Sequence, residues 1–309
     1  MTENRPQTGV GPVPALFILL QSLLYGFGDP ITKDAYAVMP VFSLLAVRYS
    51  IAFLALTLLF GRRVVRGLRS ARPRDWLLPG VCIALTYILN NIALKLTAAT
   101  SVAFLRSLST VITPVMAFAV YRARYDRRHI PVQLAVAAGL YLLCGRGGLN
   151  GFGPGEAVTL LAACFMAGAL VFGSRSLGTI DPITLTTAQA GMSALLAMAA
   201  SFAFDGGVRV GLATPRVWAI ILYLALACTL AGYLLQNLAL RRIPARTVAL
   251  LQCACPVMTA AFSRLLLGER LSAAGVVGAA IILACVAAES AMARHDDAAA
   301  DEEGGASNA

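Results

Sequence analysis

Arg106 sits in the apolar run SVAFLRSLSTVIT, about two turns past its start. Arginine carries a permanent charge on a planar fork of donors. Insertion scales put such a residue near the centre of a membrane span at about 2.5–3.5 kcal/mol. It therefore needs a partner, a watered cavity or a ligand. At helical spacing its face continues through Ser109, Thr110 and Thr113. Gln252 heads a similar stripe through Cys255 and Thr259. Two such stripes can grip a small polar molecule between them. Arg48 lies in another apolar run, as a cavity residue or an interfacial anchor.

Further polar groups recur at matched places. Thr86, Tyr87, Asn90 and Asn91 correspond to Gly232, Tyr233, Gln236 and Asn237. Amides and phenols bond a substrate or stitch helices together in lipid. Gln21, Tyr25 and Gly28 share one face of the first apolar run. Asp29 and Lys33 stand four apart, in the order that favours an ion pair on a helix. Asp29 could instead titrate and couple protons. Pro30 between them breaks the backbone ladder. The candidate cavity residues are thus Gln21, Tyr25, Arg48, Tyr87, Asn90, Arg106, Thr110, Tyr233, Gln236 and Gln252.

Catalytic chemistry lacks its parts. The two histidines, His129 and His295, flank apolar runs, and no acid cluster of metal-ligand spacing lies inside one. Seven cysteines, all within or beside apolar runs, look like small packing residues. An enzyme, a metal and a cofactor are not expected.

The elements that must hold these residues are membrane helices. Apolar residues make up 59% of the 309, charged ones only 13%, well below the quarter of a soluble domain. Mean hydropathy is +0.76. A span needs about 20 apolar residues. Ten candidates fall near 13–35, 41–60, 76–95, 99–120, 130–146, 155–174, 183–204, 214–238, 245–267 and 272–291. The first is too long for a cleavable signal peptide and lacks a small-residue cleavage site.

The second half repeats the first. TYILNNIALKLTAATSVAFL (86–105) and GYLLQNLALRRIPARTVALL (232–251) agree at an offset of 146. At an offset of 142, Lys33 pairs with Arg175 and Pro40 with Pro182. The organisation read from this is a tail over 1–12, one repeat over 13–146, a Gly-rich connector over 147–154, a second repeat over 155–291 and an acidic, disordered tail over 292–309. The fold class expected is an all-α integral membrane protein, with ten transmembrane helices as two inverted five-helix repeats. An odd number of spans per half inverts the second copy, as alternating access requires.

The net charge of +10 is concentrated. Arg62, Arg63, Arg66, Arg69, Arg72 and Arg74 lie between spans 2 and 3. Arg122, Arg124, Arg127 and Arg128 follow span 4, and Arg241, Arg242 and Arg246 follow span 8. By the positive-inside rule these loops and both termini face the cytoplasm. Nucleic acid is not an expected partner, because no aromatics interleave the basic residues in a soluble element. A small-molecule substrate and the lipid bilayer are, with a monomer as the working expectation.

The chain resembles the ten-helix, EamA-type branch of the drug/metabolite transporter superfamily over nearly all of residues 13–291. YGFGDPITK (Tyr25–Lys33) is similar to that family's Trp-Gly segment followed by Lys, with Tyr replacing Trp. Arg48-Tyr49 is similar to its Arg-aromatic pair, and Ala93–Lys95, Ala239–Arg241, Pro256-Val257 and Leu265–Ser272 also match. The first repeat departs from the pattern, with Thr110 opposite Pro256 and Ala123 opposite Glu269. The resemblance implies an inner-membrane carrier of small organic metabolites, with efflux of amino acids or related compounds foremost. Arg106 and Arg48 favour a carboxylate-bearing substrate. The second reading is a carrier of organic cations or drugs, held by Tyr25, Tyr87 and Tyr233. A membrane scaffold or receptor is the third.

Overall fold

The computed structural model describes residues 13–96, 102, 105–122, 130–144, 153–267 and 273–306. Among them no strand occurs. The helices are α1 (Val13–Tyr36), α2 (Val41–Ser70), α3 (Pro73–Leu96), α4 (Leu105–Tyr121), α5 (Ile130–Cys144), α6 (Pro154–Ser176), α7 (Pro182–Asp205), α8 (Pro215–Leu240), α9 (Ala245–Leu266) and α10 (Ala273–Ala306). Seven of these are long and apolar enough to cross a membrane: α1, α2, α3, α6, α7, α8 and α9. The apolar helices Leu105–Tyr121, Ile130–Leu142 and Ala273–Glu289 are shorter. The connector expected over 147–154 lies outside the described residues up to 152. The helical path of α10 carries on into the acidic tail, where the alanines favour helix.

The chain starts its helices with polar caps and prolines. Asp181 accepts from the Ile183 and Thr184 N–H groups ahead of α7, and Pro182 follows at the first helical position. Thr214 and Pro215 do the same for α8. Two stretches depart from α geometry. Residues Ser201–Asp205 end α7 in a π turn, and Leu224–Ala231 form a longer π stretch inside α8.

Packing directions follow from close contacts. Ser43 at the start of α2 bonds Ser201 and Asp205 at the end of α7, Phe53 packs on Gly191, and Gly67 lies against Thr184. The two helices are therefore antiparallel. α3 opposes α6 in the same way, with Cys82 on Gly168 and Thr86 near Ala162. α1 opposes α8, with Tyr25 on Gly232 and Gly28 on Cys228. It runs alongside α9, where Gly26 is needed: a Cβ there would lie 2.8 Å from the Met258 carbonyl carbon. α5 packs on α10 through Gly139 and Gly278.

These pairings come in matched sets when each helix is counted against the one five places on. α1 on α8 matches α6 on α3, α1 on α9 matches α6 on α4, and α2 on α8 matches α7 on α3. Large apolar side chains face outward, among them Leu58 at 85% exposure, Leu265 at 76% and Phe204 at 76%. Such a surface suits lipid, not water.

Candidate functional site

A cavity of about 40 Å³ lies between the two halves. Gln21 and Tyr25 of α1, Tyr87 of α3, Arg106 of α4 and Gln252 of α9 line it, all five named from the sequence. Sites for small organic ligands run from about 300 Å³ upward. This cavity is smaller than that.

Three glutamines close one wall. Gln21 donates to Gln236 Oε1 at 3.0 Å, and Gln252 donates to the same oxygen at 2.9 Å. Gln252 also donates to Gln21 Oε1 at 3.1 Å. The triad ties α1, α8 and α9 together. Its repeat counterparts are Ala163, Asn90 and Arg106, which cannot form the same ring. Asn90 is 3% exposed, and neither end of its amide has a hydrogen-bond partner among the described residues.

Arg106, freed from such a ring, reaches Asp29. Its Nη2 lies 3.4 Å from Asp29 Oδ2 and 3.6 Å from Cys255 Sγ. Thr259 donates to the same Asp29 oxygen at 3.0 Å. The Arg106 stripe and the Gln252 stripe meet here. Pro30 does not break α1, which continues to Tyr36. The Lys33 side chain lies outside the described residues, and with it the ion pair expected within α1. Thr110 is buried, its carbonyl accepting from Gln133 at 3.4 Å, and it does not line the cavity.

The tyrosines form a connected group. Tyr87 donates to the Tyr25 hydroxyl at 3.1 Å, and Tyr233 stacks on Tyr87 with ring centroids 5.6 Å apart. The identical asparagines serve packing. Asn91 donates to the Tyr87 carbonyl at 2.7 Å and accepts from Tyr36. Asn237 donates to Thr186 and Gln189 of α7 at 3.0 and 2.7 Å.

Arg48 is buried, at 8% exposure. Its Nε donates to Thr229 Oγ1 at 2.8 Å, and its guanidinium carbon lies 5.3 Å from the centroid of the Tyr49 ring. Thr229 belongs to the π stretch of α8 and bonds the Leu224 carbonyl five residues back. No carboxylate among the described residues pairs with Arg48.

The sequence profile of the EamA-like transporter family matches residues 13–145 and again residues 153–288. The chain belongs to the EamA-like transporter family. It is thus a multi-pass membrane transporter, consistent with the drug/metabolite transporter superfamily. An uncharacterized transporter of Archaeoglobus fulgidus is 26% identical over 271 residues, covering 88% of this chain and 83% of its own length. A second uncharacterized transporter of that organism is 26% identical over 230 residues, covering 72% of this chain and 78% of its own. A solved crystal structure superposes with a TM-score of 0.73 over 91% of this chain and 98% of that one, at 20% identity. That likeness is one of fold.

Sequence reasoning passed over Thr229, because it sits in an unbroken apolar run and faces Arg48 only through the π stretch. It also passed over Ser22, a cavity residue beside Gln21, and the buried Glu289, which accepts from Thr247 at 2.8 Å.

Proposed function

We propose that this EamA-family transporter moves small organic metabolites bearing a carboxylate, amino acids or close relatives foremost, by alternating access between two inverted five-helix repeats. The observation that carries this reading is the pair of interior arginines, Arg106 at a cavity walled by α1, α3 and α4 from one repeat and α6 and α9 from the other, and Arg48 buried nearby. The opposed directions of α2 and α7, and the matched helix pairings, support the inversion. A rocking motion of one repeat against the other would widen the cavity toward one side at a time. The arginine-rich end of α2 and the end of α8 before Arg241 and Arg242 meet the same α6–α7 corner, through Arg63 on Asp181 and Leu240 on Gly173, which supports a cytoplasmic placement of that end in a cell membrane.

The cation reading draws on Tyr25, Tyr87 and Tyr233, which stand together at the cavity. Two interior arginines oppose a cationic substrate by charge. The deciding experiment is a thermal-shift screen of purified protein against amino acids, the matching carboxylic acids without the amine, and the matching amines without the carboxylate. Stabilisation by carboxylate-bearing compounds is expected. Stabilisation by the amines alone would replace this reading with the cation one.

A further inference from the structure

The cavity holds one arginine with an internal counter-charge, and a second buried arginine lies outside its lining without one. Arg106 already faces Asp29. Arg48 has a threonine hydroxyl and the face of a tyrosine, and neither carries charge. An interior guanidinium without a carboxylate is costly in a membrane protein unless water or an anionic ligand meets it. Tyr25, Tyr36, Tyr49 and Tyr233 lie within electrostatic reach of its charge. These phenols offer further polar atoms around an anion.

The surroundings of Arg48 are built on one side of the molecule only. At the repeat offsets, Arg48 corresponds to Ala190 and Thr229 to Ile83. The α3 segment matching the π stretch is ordinary α helix. An irregular turn of this kind inside a helix is frequent at functional sites. Here it carries Thr229, whose hydroxyl accepts from Arg48 Nε.

We propose that the carboxylate of the substrate docks on Arg48, where α2 meets the π stretch of α8, and that Arg106 does not bind it. Arg106 and Asp29 form a loose internal pair instead. Their 3.4 Å contact is longer than the 2.7–2.9 Å of a strong charge-assisted bond. Tyr25 lines the cavity and also lies within electrostatic reach of Arg48, so it stands between the two. This assignment rests on the carboxylate reading above and names the residue that performs it.

The test uses the full-length protein in detergent. The amino acid that binds best in the screen is compared with its decarboxylated amine, by titration against wild type, Arg48→Gln, Arg48→Lys and Arg106→Gln. The expected result is a roughly ten- to hundredfold loss of amino-acid affinity in Arg48→Gln, the range for one lost hydrogen bond to a charged group. The amine should bind Arg48→Gln as well as it binds wild type, and Arg48→Lys should recover part of the loss. A merely structural role would weaken both ligands together and would overturn the proposal. Loss of carboxylate preference in Arg106→Gln with Arg48→Gln unchanged would also overturn it, while leaving the carboxylate reading intact. Should Arg48→Gln not fold, the Arg48→Lys comparison carries the test: an unchanged ratio of amino acid to amine affinity counts against the proposal. If no amino acid binds wild type, both readings fail together.

Discussion

Tyr25 lies so close to Gly232 that a Cβ on the glycine would stand 2.8 Å from the ring. The repeat mate of Gly232 is Thr86, so the second copy has lost a side chain where the first copy's tyrosine enters. Gly232→Ala should therefore overpack the contact between α1 and α8, at a cost of about 1–3 kcal/mol. The thermal unfolding midpoint in detergent should fall, and Tyr25→Leu in the same chain should restore it. An unchanged midpoint in Gly232→Ala would show that the ring yields freely.

The start of α2 is capped from another helix. Asp205 of α7 accepts from the Ser43 N–H at 2.7 Å and from its hydroxyl at 3.0 Å. A carboxylate at a helix N-terminus also meets the positive end of the helix dipole. Asp205→Ala should cost about 1–3 kcal/mol by leaving these donors short of a partner. Asp205→Asn, which keeps an acceptor, should cost less. Urea unfolding of the two variants in parallel gives the comparison, and equal loss in both would argue against the cap.

Gln236 Oε1 is the shared acceptor of the glutamine triad. Gln236→Leu leaves two amide donors without it, so the single substitution should be destabilising by about 1–3 kcal/mol. Replacing all three glutamines with leucine removes donors and acceptor together and should cost less than the single change. A triple variant less stable than Gln236→Leu would mean that the amides contribute through something other than each other.

Orientation can be read by thiol labelling in a background without the seven native cysteines. A cysteine at Arg69 should resist a membrane-impermeant reagent in intact cells, and one at Gly211 should react. Gly211 suits the purpose because nothing lies within 4 Å of a Cβ there, whereas Gly207 has a φ of +110° that a side chain would strain. The opposite labelling pattern would reverse the orientation.

Most of the helices were legible because apolar runs are local properties of the chain. α7 and α8 begin at Pro182 and Pro215, one residue from the expected 183 and 214. The duplication was equally legible, since residues 86–105 recur at an offset of 146, and the EamA-like family profile matches the chain twice. Gln21, Tyr25, Tyr87, Arg106 and Gln252 could be named because polar groups in apolar runs are costly and therefore conspicuous.

Which of these groups touch each other was decided only in three dimensions. Asn91 and Asn237 are the same residue at matched positions, yet one bonds Tyr36 and the other Thr186 and Gln189. Along the chain Asp29 has Lys33 one helical turn away, but its described partners are Arg106 and Thr259, from two other helices. Thr229 meets Arg48 because a π stretch rotates that part of α8. Spacing within a helix determines which residues share a face. The rotation and approach of whole helices determine what that face meets, and these depend on contacts such as Gly26 on Met258 that unite residues more than two hundred positions apart.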